Sequence, residues 1–248
     1  MSTNSETGHA INVANLETLI TSVTAFGASY DPSKTSLKIP ALNGLLTAAR
    51  GALNAVNIAQ SAYSNAVDAR EVAFDPFGKL ITRVNNALKA SDTTPQVDES
   101  AQTIFRKLQG KRASAKLSDE EKAAAEADGK EANQISVAQL SYDNKLENFD
   151  KLIMLLESTQ LYAPNEEDLK VASLKALYTS LKTTNTEVLT TSIQLSNARI
   201  NRNEILYKPI TGLVDIASDV KTYLKSVFGA TSPQYKQISK LKFTTKKD

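Results

Sequence analysis

The stretch SNAVDAR at residues 64–70 returns as SNARINR at residues 196–202, so Ser-Asn-Ala and an Arg four positions later recur 132 residues apart. At the same offset, 12 of the 41 residues from 30 to 70 are identical to their counterparts, several times the chance level. Self-similarity of this length is typical of a chain that contains two related structural units. The sequence therefore predicts an internal duplication.

The duplication continues on both sides of this stretch. Tyr30 corresponds to Tyr162, and one inserted residue in the second copy brings Pro76 opposite Pro209. Each copy is then a unit of about 100 residues, and a charged stretch with almost no apolar residue beyond alanine separates the two. The predicted division is a polar tail at 1–9, a helical repeat unit at 10–110, a connector at 111–134, a second helical repeat unit at 135–243 and a basic tail at 244–248.

Composition and spacing predict an all-α fold. The chain has only 9 Gly and 7 Pro, and Ala, Leu, Lys and Glu are plentiful, which favours helices. Apolar and small residues recur at steps of three and four along two long helices, predicted at about 41–74 and 167–207. These seam positions are Leu42, Leu45, Ala49, Ala52, Val56, Ala59, Tyr63, Ala66, Arg70 and Ala73, and Leu174, Leu177, Leu181, Thr184, Val188, Thr191, Leu195, Ala198, Arg202 and Ile205. At 1.5 Å per residue such helices are about 50 Å long, so we expect an elongated bundle.

Shorter helices are predicted before and after each long helix. The first copy has one at about 10–27, which corresponds to about 135–160 in the second copy. A third helix begins near Pro76 or near Pro209, because proline suits a first helical turn. In the second copy this helix ends at Gly229, and Ser232 and Pro233 then predict the start of a last short helix.

The chemistry of most catalytic and metal sites is missing from this chain. It has no Cys, and its one His is His9 in the polar N-terminal tail, which excludes Cys/His zinc sites, Cys nucleophiles and His-based triads. No glycine-rich phosphate loop occurs. The acidic groups Asp119-Glu120-Glu121 and Glu166-Glu167-Asp168 are interpreted as structural, the latter at a helix start. We therefore predict no catalytic residue, no metal ligand, no cofactor and no enzymatic activity.

Charge and hydropathy favour a cytoplasmic protein without a nucleic-acid partner. The formal net charge is only +2, and neither a signal peptide nor a membrane-spanning segment is recognisable. The C-terminal stretch KQISKLKFTTKKD, residues 236–248, is interpreted as the solvated basic end of a helix. Contact of this stretch with nucleic acid or an anionic membrane surface is the alternative.

The repeated motif supplies the candidate site residues. The Ala of Ser-Asn-Ala and the following Arg occupy seam positions, so an arginine interrupts each apolar stripe at the same place. The predicted polar seam layer comprises Ser64, Asn65, Arg70, Ser196, Asn197 and Arg202. These arginines either set the register between helices or form an anion or ligand pocket with the nearby polar residues. Partners are expected among Asp68, Glu71 and Asp75 in the first copy and Glu204, Asp215 and Asp219 in the second, or on another helix.

Two stretches also carry a family resemblance. TGLVDIASDVKTYLKSVFGATSPQYKQISKLKF at 211–243 and SNARINRNEILY at 196–207 resemble uncharacterised helical proteins of flavobacteria and related Bacteroidota. The resemblance implies a bacterial origin and carries over no functional residue.

The function predicted from the sequence is that of a non-enzymatic scaffold or interaction protein. Its long helix faces would bind a protein partner or a second copy of the chain. The alternative is a membrane-active helical protein of the pore-forming type, with ALNGLLTAARGALNAVNIAQSAY at 41–63 as the candidate segment. Two polar features of that segment, its asparagines and Arg50, disfavour insertion into a bilayer.

Overall fold

The computed structural model describes residues 6–110 and 140–245, and these residues form α-helices, short 3₁₀ turns and connecting loops without any β-strand. The α-helices in these two ranges are α1 (Glu6–Ala25), α2 (Ile39–Phe74), α3 (Phe77–Lys89), α4 (Pro95–Gln109), α5 (Tyr142–Ser158), α6 (Val171–Tyr207), α7 (Leu213–Phe228) and α8 (Pro233–Ser239). The all-α prediction is confirmed. The predicted connector at 111–134 lies outside the described residues.

The chain divides into two compact units. The first compact unit consists of Met1–Ser64 and Thr191–Asp248, and the second consists of Asn65–Thr190. This division differs from the predicted repeat units 10–110 and 135–243. The physical reason is that α1 and the turn that precedes α2 pack against α7, whereas α3 packs against the turn that precedes α6. The third helix of each predicted copy thus lies with the early elements of the other copy.

The core of the first compact unit forms around α1 and α7. Leu16 and Leu19 on α1 are fully buried, as are Leu224 on α7 and Ile238 on α8. The rings of Phe26 and Phe228 meet edge to face with centroids 5.1 Å apart. Because α1 presents its apolar residues at helical spacing to this core, it holds the N-terminal part of the chain against the C-terminal helices.

The core of the second compact unit forms where α3, α4 and α5 pack together. Phe105 on α4 and Phe149 on α5 are fully buried. The Phe77 and Phe149 rings lie edge to face with centroids 5.0 Å apart, a favoured aromatic geometry. Helix α4 was not predicted, although its ends carry recognisable signals. The Thr94 side chain accepts a hydrogen bond from the Val97 N–H, and Gly110 ends the helix at φ 67°.

The seam of the two long helices agrees with the burial pattern. Every predicted seam position on α2 and α6 is buried or partly buried. Leu174, Leu181, Val188 and Leu195, spaced by seven residues, are at most 7% exposed. The step of three and four therefore correctly predicted which side of each helix packs inward.

Some helix ends agree with the sequence signals, and others differ. Helix α5, predicted from about 135, begins at Tyr142 because Ser141 caps it, and α7 begins at Leu213, four residues after Pro209. Helix α2 ends at Phe74, just before Pro76, as predicted. Helix α6 begins at Val171 and not at 167, because Glu167–Leu169 forms a separate 3₁₀ turn. Helix α1 begins at Glu6, so residues 6–9 of the predicted tail are helical. The Ser232 side chain caps α8 by accepting a hydrogen bond from the Tyr235 N–H, as its position predicted.

Candidate interaction surfaces

Arg70 lies half-buried on α2, in the second compact unit. Its Nη1 donates a hydrogen bond of 3.1 Å to Asn185 Oδ1, and its guanidinium carbon lies 4.0 Å from the centre of the Tyr142 ring. Asn185 in turn donates to Asp143 Oδ1 at 2.7 Å. A carboxylate was expected as the partner of Arg70. The amide of Asn185 takes this place and links Arg70 to the carboxylate of Asp143 on α5. The ring covers one face of the guanidinium, so this arrangement supports a structural role for Arg70.

Arg202 lies almost fully buried on α6, in the first compact unit, and is 5% exposed. Its Nε and Nη2 both donate to Asn203 Oδ1, at 3.2 and 3.0 Å. Two of its expected partners have other contacts. Asp219 Oδ2 lies 2.6 Å from Lys34 Nζ, and Asp215 Oδ2 accepts a 2.8 Å hydrogen bond from the Ile210 N–H. The two seam arginines therefore occupy equivalent positions in the two copies of the repeat but differ in their surroundings.

The remaining residues of the predicted polar layer point outward. Ser64, Asn65, Ser196 and Asn197 are all exposed. Each Ser and Asn lies one or two positions before its seam Ala, and successive positions on a helix are rotated by about 100°. Of the six residues in the predicted layer, Arg202 is buried and Arg70 is half-buried, whereas the other four are exposed, so no buried layer of six residues forms.

The acidic group at 166–168 makes surface ion pairs. Asp168 accepts hydrogen bonds from both terminal nitrogens of Arg83, and this guanidinium holds the pKa of Asp168 below its ordinary value. The same contact raises the pKa of Arg83. Glu167 Oε2 lies 2.6 Å from Lys170 Nζ. These pairs are exposed and support the structural interpretation, while Asp119-Glu120-Glu121 lie outside the described residues. Within residues 6–110 and 140–245, no group of three His, Asp or Glu side chains could hold a metal ion.

An uncharged helix face with exposed isoleucines lies on α6 in the first compact unit. Ile193 and Ile200 are 53% and 57% exposed and, seven residues apart, lie on the same side of the helix. Ser196 and Asn197, between them, are also exposed. No charged residue occurs from 191 to 198. We refer to Ile193, Ser196, Asn197 and Ile200 as the α6 outer face. The seam pattern does not reveal this face, because it follows only the buried side of the helix.

Residues of the chain that follow α8 contact α1. Residues 241–245, the C-terminal segment, follow α8 and have no helical structure. The fully buried Asn12 contacts both backbone polar groups of Thr244, and Asn15 Nδ2 donates to the Lys242 carbonyl oxygen at 2.7 Å. The expected solvated helix end is corrected, because Leu241 and Phe243 pack against the core of the first compact unit. Lys246 and Lys247 lie outside the described residues.

Comparisons with known proteins add no relative. Neither the known family models, nor curated proteins, nor solved structures give a match to this chain. Among the described helices, none combines the length and the apolar character needed to cross a bilayer. The candidate segment 41–63 belongs to α2, and its residues Leu42, Leu46 and Ala49 are buried in the core of the first compact unit.

Proposed function

We propose that this protein is a non-enzymatic interaction protein that associates with a second copy of itself through the α6 outer face. The observation behind the proposal is the pair Ile193 and Ile200, both more than half exposed on one side of α6, where Ser196 and Asn197 between them on that side are also uncharged. Single exposed apolar residues are ordinary on protein surfaces, whereas two on one uncharged helical stripe form a suitable packing surface.

The absence of charge on this face favours a second copy over a different partner. In a two-fold dimer the same residues of both copies meet near the symmetry axis, and equal charges there would repel. Ile193, Ser196, Asn197 and Ile200 are all uncharged. Two such faces could pack side by side, with isoleucine side chains in the centre and amide and hydroxyl groups at the rim.

The membrane-active alternative has weaker support. All four leucines of segment 41–63 pack in or against the core of the first compact unit, so their contact with lipid would require that unit to open. A cytoplasmic location, a bacterial origin and the division of the sequence into two duplicated units remain part of the proposal. The duplication is supported by the matching turns that precede α2 and α6.

Sedimentation of the full-length protein over a range of concentrations tests the proposal. We expect reversible self-association of the wild type, and at least about ten-fold weaker association when Ile193 and Ile200 are both replaced by Glu. Gln194→Glu is the matched control, because it adds a charge to the same stretch at an exposed position on another side of the helix. A wild type that stays monomeric, or a double variant that associates as before, contradicts the proposal.

A further inference from the structure

The side-chain amide of Asn12 pairs with the backbone of Thr244 in the way that the backbone of a neighbouring β-strand would. Its Nδ2 donates to the Thr244 carbonyl oxygen at 2.9 Å and to the Tyr207 hydroxyl at 3.4 Å. Its Oδ1 accepts from the Thr244 N–H at 2.9 Å. Because Asn12 is fully buried, its amide depends on these contacts. One side chain thus pairs with both the N–H and the C=O of a single extended residue.

Two further side chains bind the backbone of the C-terminal segment. Asn15 Nδ2 donates to the Lys242 carbonyl oxygen at 2.7 Å, and Lys221 Nζ donates to that of Leu241. Together with Asn12, these side chains from α1 and α7 contact backbone groups of three of the four residues from 241 to 244. Backbone contacts of this kind hold an extended chain whatever its side chains are.

The side chains of the segment alternate between the protein and the solvent. Leu241 and Phe243 are partly buried against the core, and Lys221 Nζ lies 5.2 Å from the centre of the Phe243 ring. Lys242 and Thr244 are exposed. An extended peptide therefore needs an apolar and an aromatic residue two positions apart to fit here, and tolerates any residue between them.

The attachment of the segment is local. Residues 241–245 follow α8 through Lys240 and belong to no helix, and only Leu241 and Phe243 among them contribute apolar contacts to the core. Release of the segment would therefore expose little apolar surface and leave α1 and α7 packed together. Such a local opening requires much less free energy than unfolding of the whole unit.

From this geometry we infer that the surface of α1 and α7 that carries Asn12, Asn15 and Lys221, here called the groove, is a binding site for an extended apolar-x-aromatic-Thr peptide of a partner protein. The chain's own C-terminal segment occupies the groove and competes with the partner. A tethered segment acts at an effective concentration in the millimolar range, so a partner peptide binds only when it outcompetes the tether or when the segment is released. This inference does not rest on the α6 outer face.

Peptide binding to the full-length protein tests the inference. The probe is a fluorescent peptide with the sequence of residues 239–248, SKLKFTTKKD, measured by anisotropy. Leu241→Asp together with Phe243→Asp weakens the seating of the chain's own segment, so this double variant should bind the peptide at least ten-fold more tightly than the wild type. A peptide with Lys242→Ala should bind equally well, and a peptide with Asp at both 241 and 243 should not bind.

Substitution of Asn12 in the same binding assay gives a second test. Asn12→Ala, added to the double variant, should weaken peptide binding at least ten-fold because both hydrogen bonds to Thr244 are lost. Binding that is unchanged by Asn12→Ala overturns the inference, and so does a double variant that keeps the helix content of the wild type but does not bind the peptide.

Hydrogen exchange of the wild type provides a test if the double variant does not fold. The Thr244 amide should exchange at least ten-fold faster than the buried amides of Leu16 and Leu224, because release of the segment precedes opening of the helices. Exchange of Thr244 as slow as that of Leu16 overturns the inference, since the groove would then open only when the whole unit unfolds.

Discussion

The phenolic hydroxyl of Tyr30 donates a 2.6 Å hydrogen bond to the carbonyl oxygen of Leu37. The same contact occurs 132 residues later, where the Tyr162 hydroxyl donates to the Leu169 carbonyl oxygen at 2.9 Å. Both tyrosines are 6% exposed, and each acceptor ends a 3₁₀ turn just before a long helix. These bonds fasten the Tyr-x-Pro loops to the starts of α2 and α6, in the register that the sequence repeat predicts.

Removal of either hydroxyl should destabilise the protein. We expect Tyr30→Phe and Tyr162→Phe each to lower the free energy of unfolding by about 1 to 2 kcal/mol, because a buried carbonyl oxygen loses its donor. The two sites lie in different compact units, so the effects should add. Urea unfolding measures the change, with Tyr63→Phe on α2 as the control for loss of a hydroxyl elsewhere. Two silent substitutions would mean that water replaces the phenol at no cost.

The same tyrosines predict how stability depends on alkaline pH. Burial raises the pKa of Tyr30 and of Tyr162 to about 12, from the ordinary value of 10.0. Between these values the unfolded chain loses phenolic protons that the folded chain retains, so the free energy of unfolding falls as pH rises. The stabilisation is complete below pH 10 and is lost toward pH 12.

A comparison of the wild type with the Tyr30→Phe, Tyr162→Phe double variant isolates this effect from the titration of lysines. The difference between their urea midpoints should be constant up to about pH 9 and should shrink from pH 10 to 12. A difference that stays constant up to pH 12 would show that the folded tyrosines ionise as readily as unfolded ones.

Most of the helices could be predicted from local signals, whereas the partners of their side chains could not. The end of α2 before Pro76 and the cap of α8 at Ser232 depend on single residues, which the sequence displays directly. The partner of Arg70 depends on which helix packs beside it. Neither Asn185 nor Tyr142 is near Arg70 in sequence, so no spacing rule could select them.

The groove occupied by the C-terminal segment was missed for a related reason. The alternation of Lys and apolar residues from 240 to 243 fits a strand-like segment as well as the end of a helix. What decides between them is Asn12, more than 200 residues away, whose amide pairs with the backbone of Thr244. A contact of this range follows from the packing of α1 against α7 and leaves no local sequence signal.

Substitution of Arg70 tests whether this residue stabilises the fold or binds an anion. Arg70→Met removes the hydrogen bond to Asn185 and the contact with the Tyr142 ring, so we expect a loss of about 1 to 2 kcal/mol in unfolding free energy. Arg50→Met is the control, since its ion pair with Glu17 is more than half exposed and should contribute about 0.5 kcal/mol or less. Phosphate should raise the melting temperature of the wild type and of Arg70→Met equally. Stabilisation by phosphate that disappears in Arg70→Met would support the anion pocket instead.

Gly229 and Gly51 form a matched pair for the last prediction. Apart from the adjoining residues and, for Gly51, the backbone of its own helix, a Cβ atom at either position would meet no atom within 4 Å, so substitution by Ala changes mainly the backbone preference. Gly229 ends α7 at φ 82° and ψ 154°, a conformation that residues with a side chain avoid, whereas Gly51 lies inside α2. Gly229→Ala should therefore lower the unfolding free energy by about 1 to 3 kcal/mol, and Gly51→Ala should raise it by about 0.5 to 1 kcal/mol. Urea unfolding of both variants tests the opposite signs, and a stabilising Gly229→Ala would mean that α7 continues past Phe228.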